Sequence, residues 1–277
     1  MFRPNDRPLN RLERELPEGV LVDAAWLRKQ GYSRQLLHHY VSAGWLDQPT
    51  RGVYRRPRGT LSWQQLVVSL QMFLAYPLAV GGRTALELQG YAHYLPHNET
   101  RIHLYGPKAP PTWLAKLGLD AQFEYHNDKR LFGKHRVTAE LKKLGTGRAA
   151  KDAANLSLTE LPVGQWDWKL VISTPERALL ELLDELPNHE TFHQADMLMQ
   201  GMANLSPRRL HALLADCKSV KVKRLFFFFA DRHAHAWLKP LKKESFDLGS
   251  GKRMLVKGGM LNQAYQITVP KDLNGVS

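Results

Sequence analysis

The stretch Val20–Arg58 limits what this chain can fold into more than any other. Asp23 offers a carboxylate to the free N–H groups of a first helical turn, and Ala24, Ala25, Trp26, Leu27, Arg28 and Lys29 continue that helix. Gly31 ends it, because glycine tolerates the left-handed backbone that a helix end often needs. Ser33 caps a second helix, Arg34–Ala43, in which Leu36, Leu37, Tyr40 and Val41 fall on one apolar stripe. Gly44 stops it. Trp45-Leu46-Asp47-Gln48 and Val53-Tyr54-Arg55-Arg56 then read as short strands around a turn at Pro49-Thr50-Arg51-Gly52. Helix, glycine, helix and hairpin make the order of a winged helix-turn-helix.

Arg34, Gln35, His38 and His39 lie off the apolar stripe of the second helix. In a major groove an arginine can grip guanine with two hydrogen bonds and a glutamine can do the same for adenine. These four are therefore the candidate base readers. Ser33 and the wing residues Arg51, Arg55 and Arg56 are candidate phosphate contacts, with Arg58 just behind the wing. This reading requires Arg34, Gln35 and His38 to project from a free convex face. Helix-glycine-helix-hairpin units also occur in proteins that only bind other proteins, and that alternative stays open.

The distribution of charge agrees with a polyanionic partner. The net charge is +13. Residues 1–60 hold 11 Lys+Arg against 6 Asp+Glu, residues 61–200 hold 14 against 15, and residues 201–277 hold 14 against 5. The excess sits at the two ends, as expected of a chain that touches nucleic acid at both. Lys221, Lys223 and Arg224, in the basic run before Leu225-Phe226-Phe227-Phe228-Phe229-Ala230, are a second candidate DNA contact. The single cysteine, Cys217, rules out an intramolecular disulfide framework and a cysteine zinc finger, and it suits the reducing cytoplasm. The first residues lack the apolar segment of a secretory signal, and no run reaches the roughly 18 apolar residues of a membrane span.

Leu9, Leu12 and Leu16 predict a helix that completes a three-helix core, giving a module over residues 1–58 and a larger mixed domain over 60–277. Ser62 opens a long helix, Trp63–Tyr76, and a short one follows at Ala85–Gln89. Arg101–Tyr105 and Ala121–His126 read as strands, with a short helix at Trp113–Leu117 between them. Residues 127–165 carry no clear pattern. Trp168–Ile172 is a strand, and Ser173-Thr174-Pro175-Glu176 starts a helix to Leu186, with proline at the first position and an acid at the positive end of the dipole. Helices are expected over 190–202, Pro207–Ala215 and 218–230, and two closing strands at Met254–Val256 and Tyr265–Val269. The fold class is α/β in the α+β sense.

Enzymatic signatures are weak. Gly145-Thr146-Gly147-Arg148 lacks the spacing of a phosphate loop. His38-His39 diverge on a helix, Pro96 separates His93 from His97, and His233-x-His235 has no evident third ligand, so no metal or cofactor is expected. A nuclease would need an acid followed by acid-x-Lys near a strand. Asp120 and Glu124 stand near one, but Glu124-Tyr125-His126 has no lysine, and Glu99 and Glu140 offer nothing clearer. No G-x-S-x-G is present. Cys217 reads as a buried structural thiol, and Trp113, Trp166 and Trp168 as core or interface residues.

Three segments together resemble the abortive-infection antitoxins of type IV toxin–antitoxin systems, the AbiEi family. They are the winged helix ending in Gly52-Val53-Tyr54-Arg55-Arg56, the run Gly81-Gly82-Arg83-Thr84-Ala85-Leu86-Glu87-Leu88-Gln89-Gly90-Tyr91, and Ser173-Thr174-Pro175-Glu176-Arg177-Ala178-Leu179-Leu180-Glu181-Leu182. The resemblance implies an autorepressor that binds double-stranded DNA at inverted repeats upstream of its own operon. It also implies that the larger domain counteracts a nucleotidyltransferase-like toxin without forming a stable complex. The function expected is thus a DNA-binding transcriptional regulator rather than an enzyme. A nucleic-acid-processing, nuclease-like enzyme and a protein-binding module are the alternatives.

Overall fold

A computed structural model describes residues 8–91, 101–145, 156–164 and 168–275. The N-terminal part follows the order α1 (Pro8–Glu15), β1 (Leu21–Asp23), α2 (Ala24–Lys29), α3 (Arg34–Ser42), β2 (Asp47–Thr50) and β3 (Val53–Arg55). β3 lies between β1 and β2, antiparallel to both, with Val22 opposite Tyr54 and Thr50 opposite Val53. Three helices and a three-stranded sheet in this order are consistent with a winged helix-turn-helix. Leu12, Leu16, Leu27, Leu37, Tyr40, Leu46 and Val53 fill its centre.

Ser62 and Gln65 form a reciprocal capping box at the start of α4 (Trp63–Val68). The long helix expected over Trp63–Tyr76 is not regular. From Ser69 to Phe73 it widens into a π turn, in which Leu74 donates to the Ser69 carbonyl. The Ser69 hydroxyl explains part of this: it donates to the Gln65 carbonyl (2.7 Å) and accepts the Leu21 N–H of β1 (2.9 Å). The helix thus gives up regularity where it meets the wing sheet.

The larger part is built on a five-stranded mixed sheet in the order β6-β5-β4-β8-β7. β4 (Ala79–Val80) is antiparallel to β5 (Arg101–Gly106) and parallel to β8 (Trp168–Ser173). β5 runs parallel to β6 (Gln122–Asn127), and β7 (Leu158–Val163) closes the far edge antiparallel to β8. The Gln71 side chain bridges the short β4 to its neighbour, bonding the Leu78 carbonyl and both backbone groups of Val171.

Helix α5 (Gly82–Leu88) follows β4, and α6 (Val137–Gly145) precedes β7. Helices α8 (Phe192–Gly201), α9 (Pro207–Asp216) and α10 (Val220–His233) follow α7 (Pro175–Glu185); α7 is buried on almost every side and packs against α5, α9 and α10, while α8 packs on α10. Its charged residues Glu176, Arg177 and Glu181 are buried with the leucines, and each has an ion-pair partner: Arg177 with Glu181, and Glu176 with Arg209. Leu225 to Ala230 of α10 are all buried, and each such Leu or Phe contributes about 1.5–3 kcal/mol on leaving water.

Glu176 stands in the first turn of α7, as expected, and is buried there, accepting the Ser206 N–H (2.7 Å) and pairing with Arg209 (2.8 Å). Other expectations change. The closing hairpin is β9 (Met260–Asn262) with β10 (Ile267–Val269), not Met254–Val256. The N–H groups of Leu255 and Val256 go to the Thr268 hydroxyl instead of to a strand ladder. Within the unpatterned 127–165 segment lie α6 and β7. Gly145 ends α6; Thr146-Gly147-Arg148 fall outside the described residues, as do His93, His97, Glu99, Trp166 and Asp167.

The sequence suggests a linker at 56–59. Packing there is continuous, because residues of α3, β3, α4, β4 and β8 belong to one buried cluster. Gly19, at the edge of the wing sheet, stands close to Gln65 and to the indole of Trp168.

Candidate nucleic-acid interface

Helix α3 is held from one side only. Ser33, with extended backbone, accepts the Leu36 N–H at 3.2 Å and starts the helix. Leu37 and Tyr40 are buried, and Leu36 and Val41 half-buried, so they anchor one flank. Arg34, Gln35, His38, His39 and Ser42 are all exposed. At about 100° per residue these five span an arc of roughly 140°, a continuous outward face. The free convex face that the sequence reading requires is present.

The turn that sets this helix is fastened to α1. Gly31, at φ +88°, adopts the left-handed backbone that lets the chain reverse. Arg11 of α1 donates to the Gln30 carbonyl within this turn and lies 4.8 Å over the ring of the buried Tyr32. The Tyr32 hydroxyl reaches Glu15 at 3.2 Å, and burial first of all raises its pKa. The helix pair is therefore braced from behind while α3 points away.

The wing is short. Gly52, at φ +78°, turns the chain, and its carbonyl accepts the Ala24 N–H at the start of α2 (2.9 Å). Arg51 is exposed at this tip. The other wing arginines are engaged. Arg55 pairs with Asp47 (3.2 Å) and donates to the Gly59 carbonyl; Arg56 pairs with Glu18 (2.9 Å) and Glu13 (3.7 Å). Arg58 is largely exposed and lies 3.6 Å from Glu18. A phosphate would find Arg51 ready, whereas Arg55 and Arg56 would have to leave acid partners.

The second basic cluster is corrected by the structure. Lys223 and Arg224 are buried at the start of α10. Arg224 donates to the carbonyls of Leu248 (2.6 Å), Gly251 (2.7 Å) and Gln266 (3.2 Å), tying the C-terminal segment to the helix. Lys221 caps the end of α7, bonding the carbonyls of Asp184 and Leu186. Lys221 and Arg224 are thus engaged by backbone carbonyls, and the buried Lys223 and Arg224 present no open face to a duplex. The apolar run that follows is the signal for this, since a helix so buried takes its first turn inward as well.

The remaining candidate chemistry divides. His233 pairs with Asp196 (2.8 Å) and His235 with the Met199 carbonyl (2.8 Å), so both act as anchors. Burial pushes the Cys217 thiol up to about 11, which leaves it protonated and unreactive. Trp113 packs half-buried against the core, and Trp168 is buried. Glu124 lies on β6 beside histidines that the sequence does not bring together: His103, His126 and His189. Burial and the neighbouring His126 lower the His103 pKa to about 4, keeping it neutral. Burial opposes charge on His126, but Glu185 outweighs it and raises its pKa.

The family model for "Transcriptional regulator, AbiEi antitoxin, Type IV TA system" matches residues 99–270, and the model for the AbiEi antitoxin N-terminal domain matches residues 5–97. The chain belongs to the AbiEi family of type IV antitoxin transcriptional regulators. Both parts of the AbiEi arrangement are therefore represented, and the N-terminal match takes in the winged module together with α4, β4 and α5. The crystal structure of the RV2827C protein from Mycobacterium tuberculosis has the same fold, with a TM-score of 0.56 at 17% identity over 95% of this chain and 90% of that one. No curated protein matches the chain. No helix among the described residues is long and apolar enough to cross a membrane.

Proposed function

We propose that this AbiEi-family chain is a sequence-specific DNA-binding autorepressor whose reading element is α3. The observation that carries this is the outward arc of Arg34, Gln35, His38 and His39 on a helix whose opposite flank is buried. Arg34 and Gln35 sit in its first turn, the part of a recognition helix that meets base edges. Ser33 and Arg51 reach the flanking phosphates. Inverted repeats upstream of its own operon are the DNA site, so two copies of the module occupy one operator. The larger part, from residue 60 onward, counteracts a nucleotidyltransferase-like toxin, and the reading includes no catalytic step.

The test is a gel shift with the DNA upstream of the gene at about 50 and 200 mM salt, where affinity should fall steeply with salt. Arg34→Ala should weaken specific binding by about 1–3 kcal/mol, with little change on unrelated DNA. An unaltered footprint and affinity for that variant would remove α3 from the reading role. Cleavage of the probe in the presence of a divalent metal would point instead to a nuclease.

A further inference from the structure

We propose that His103, Glu124, His126 and His189 form a binding site for one zinc(II) ion at the edge of the larger sheet. In the parallel pairing of β5 with β6, His103 stands opposite Glu124 and Tyr105 opposite His126. Residues two apart on a strand share a face, so His103, Glu124 and His126 converge on one side. His189, just past the end of α7, approaches from above.

The ligand atoms of His103, Glu124 and His126 already lie within 4.8 Å of one another, and His189 stands beside Glu124 as the ligand that would swing in to complete the site. His103 Nδ1 is 3.0 Å from His126 Nε2 and 3.7 Å from Glu124 Oε2, and His189 Nδ1 is 3.7 Å from the same oxygen. Zinc bound at about 2.0–2.1 Å in a tetrahedron separates its ligand atoms by roughly 3.3 Å, inside this range. Two or three imidazoles and a carboxylate are a donor set that zinc accepts.

The surroundings support the same assignment. Arg101 donates to Glu124 Oε1 (3.3 Å), but Glu124 Oε2 is buried without a hydrogen-bond partner and faces the two histidines. An unsatisfied buried carboxylate oxygen is costly, and a cation would satisfy it. Glu185 Oε1 lies 3.1 Å from His126 Nδ1, which fixes the ring with Nε2 turned inward, as outer-sphere carboxylates do for zinc-bound histidines. His189 is half-exposed and provides a way in. Without metal, the His103–His126 contact is a hydrogen bond. With Nδ1–H of His126 given to Glu185, the proton in that contact lies on His103 Nδ1. Ion entry shifts this proton to His103 Nε2, and no other co-reactant is needed.

The site would clamp the β5–β6 edge to the end of α7, far in sequence from the DNA-reading helix. Its test is therefore independent of DNA binding. The metal-free full chain, without a histidine tag, is titrated with cobalt(II) and zinc(II). One equivalent of cobalt should give the intense visible bands of four-coordinate geometry, and one equivalent of zinc should abolish them. Glu124→Gln and His126→Asn should each weaken zinc binding at least about 100-fold, and Glu185→Gln about 10- to 100-fold. His189→Ala, at an exposed position, should weaken it about 10-fold without disturbing the fold and decides the matter if the buried variants do not fold. Absence of saturable binding below about 100 μM overturns the proposal. So does six-coordinate cobalt, or zinc binding that all four variants retain.

Discussion

Helix α3 and helix α10 both begin with basic residues, and the two regions use them in opposite ways. In α3, Arg34 and Gln35 precede an apolar stripe that covers only one flank, so the polar side stays in water. In α10, Lys223 and Arg224 precede an apolar run that is buried all round, and the first turn is carried into the interior with it. The same charge that offers a duplex a contact in one place ties carbonyls together in the other. A count of lysines and arginines measures what the chain can repel or attract at a distance. It does not identify which cations are available to a ligand.

The contrast is sharpened most by Arg177. It is fully buried in α7, bonded to Glu181 (2.6 Å), the His135 carbonyl (2.6 Å) and Ser157 (3.1 Å), with its guanidinium 4.7 Å over the ring of Phe132. Arg177→Met leaves Glu181 charged and buried, and should cost about 3–5 kcal/mol in urea unfolding. DNA affinity of the folded protein should hold. A stable Arg177→Met chain with weakened DNA binding would break the division between structural and reading cations.

Arg224→Ala should come next. It leaves the Leu248 and Gly251 carbonyls without their donor, while the Gln266 carbonyl keeps the Arg253 N–H, for a loss of about 1–3 kcal/mol, and the salt dependence of DNA binding should not change. A flattened salt slope at unchanged stability would return α10 to the interface. Arg51→Ala should have the smallest effect on folding, within about 0.5 kcal/mol, because its side chain stands in solvent at the wing tip. It should lower the salt slope by about one, the signature of a lost phosphate contact. A slope identical to that of the parent chain would take the wing out of the DNA contact.

Much of the fold was legible in the residues. Asp23, Ser33 and Ser62 cap the helices expected of them, because a cap is decided by a side chain and backbone groups two or three residues away. Other elements were hidden for physical reasons. β4 is two residues long and has no pattern to show; it exists because β5, β8 and Gln71 hold it. β7 contains Pro162, which lowers any strand expectation, and is tolerated because β7 is at the sheet edge. Regularity of the helix after Ser62 fails at Ser69, whose hydroxyl is claimed by a residue 48 positions earlier.

The candidate sites divide along the same line. Periodicity alone marked Arg34, Gln35, His38 and His39 as off the apolar stripe, because a helix face repeats within a few residues and needs no distant partner to define it. Only the tertiary structure decided that Arg55 and Arg56 are paired, that Lys223 and Arg224 are interior, and that His103, Glu124, His126 and His189 meet. Those outcomes depend on burial and strand register, which are settled by the whole chain at once.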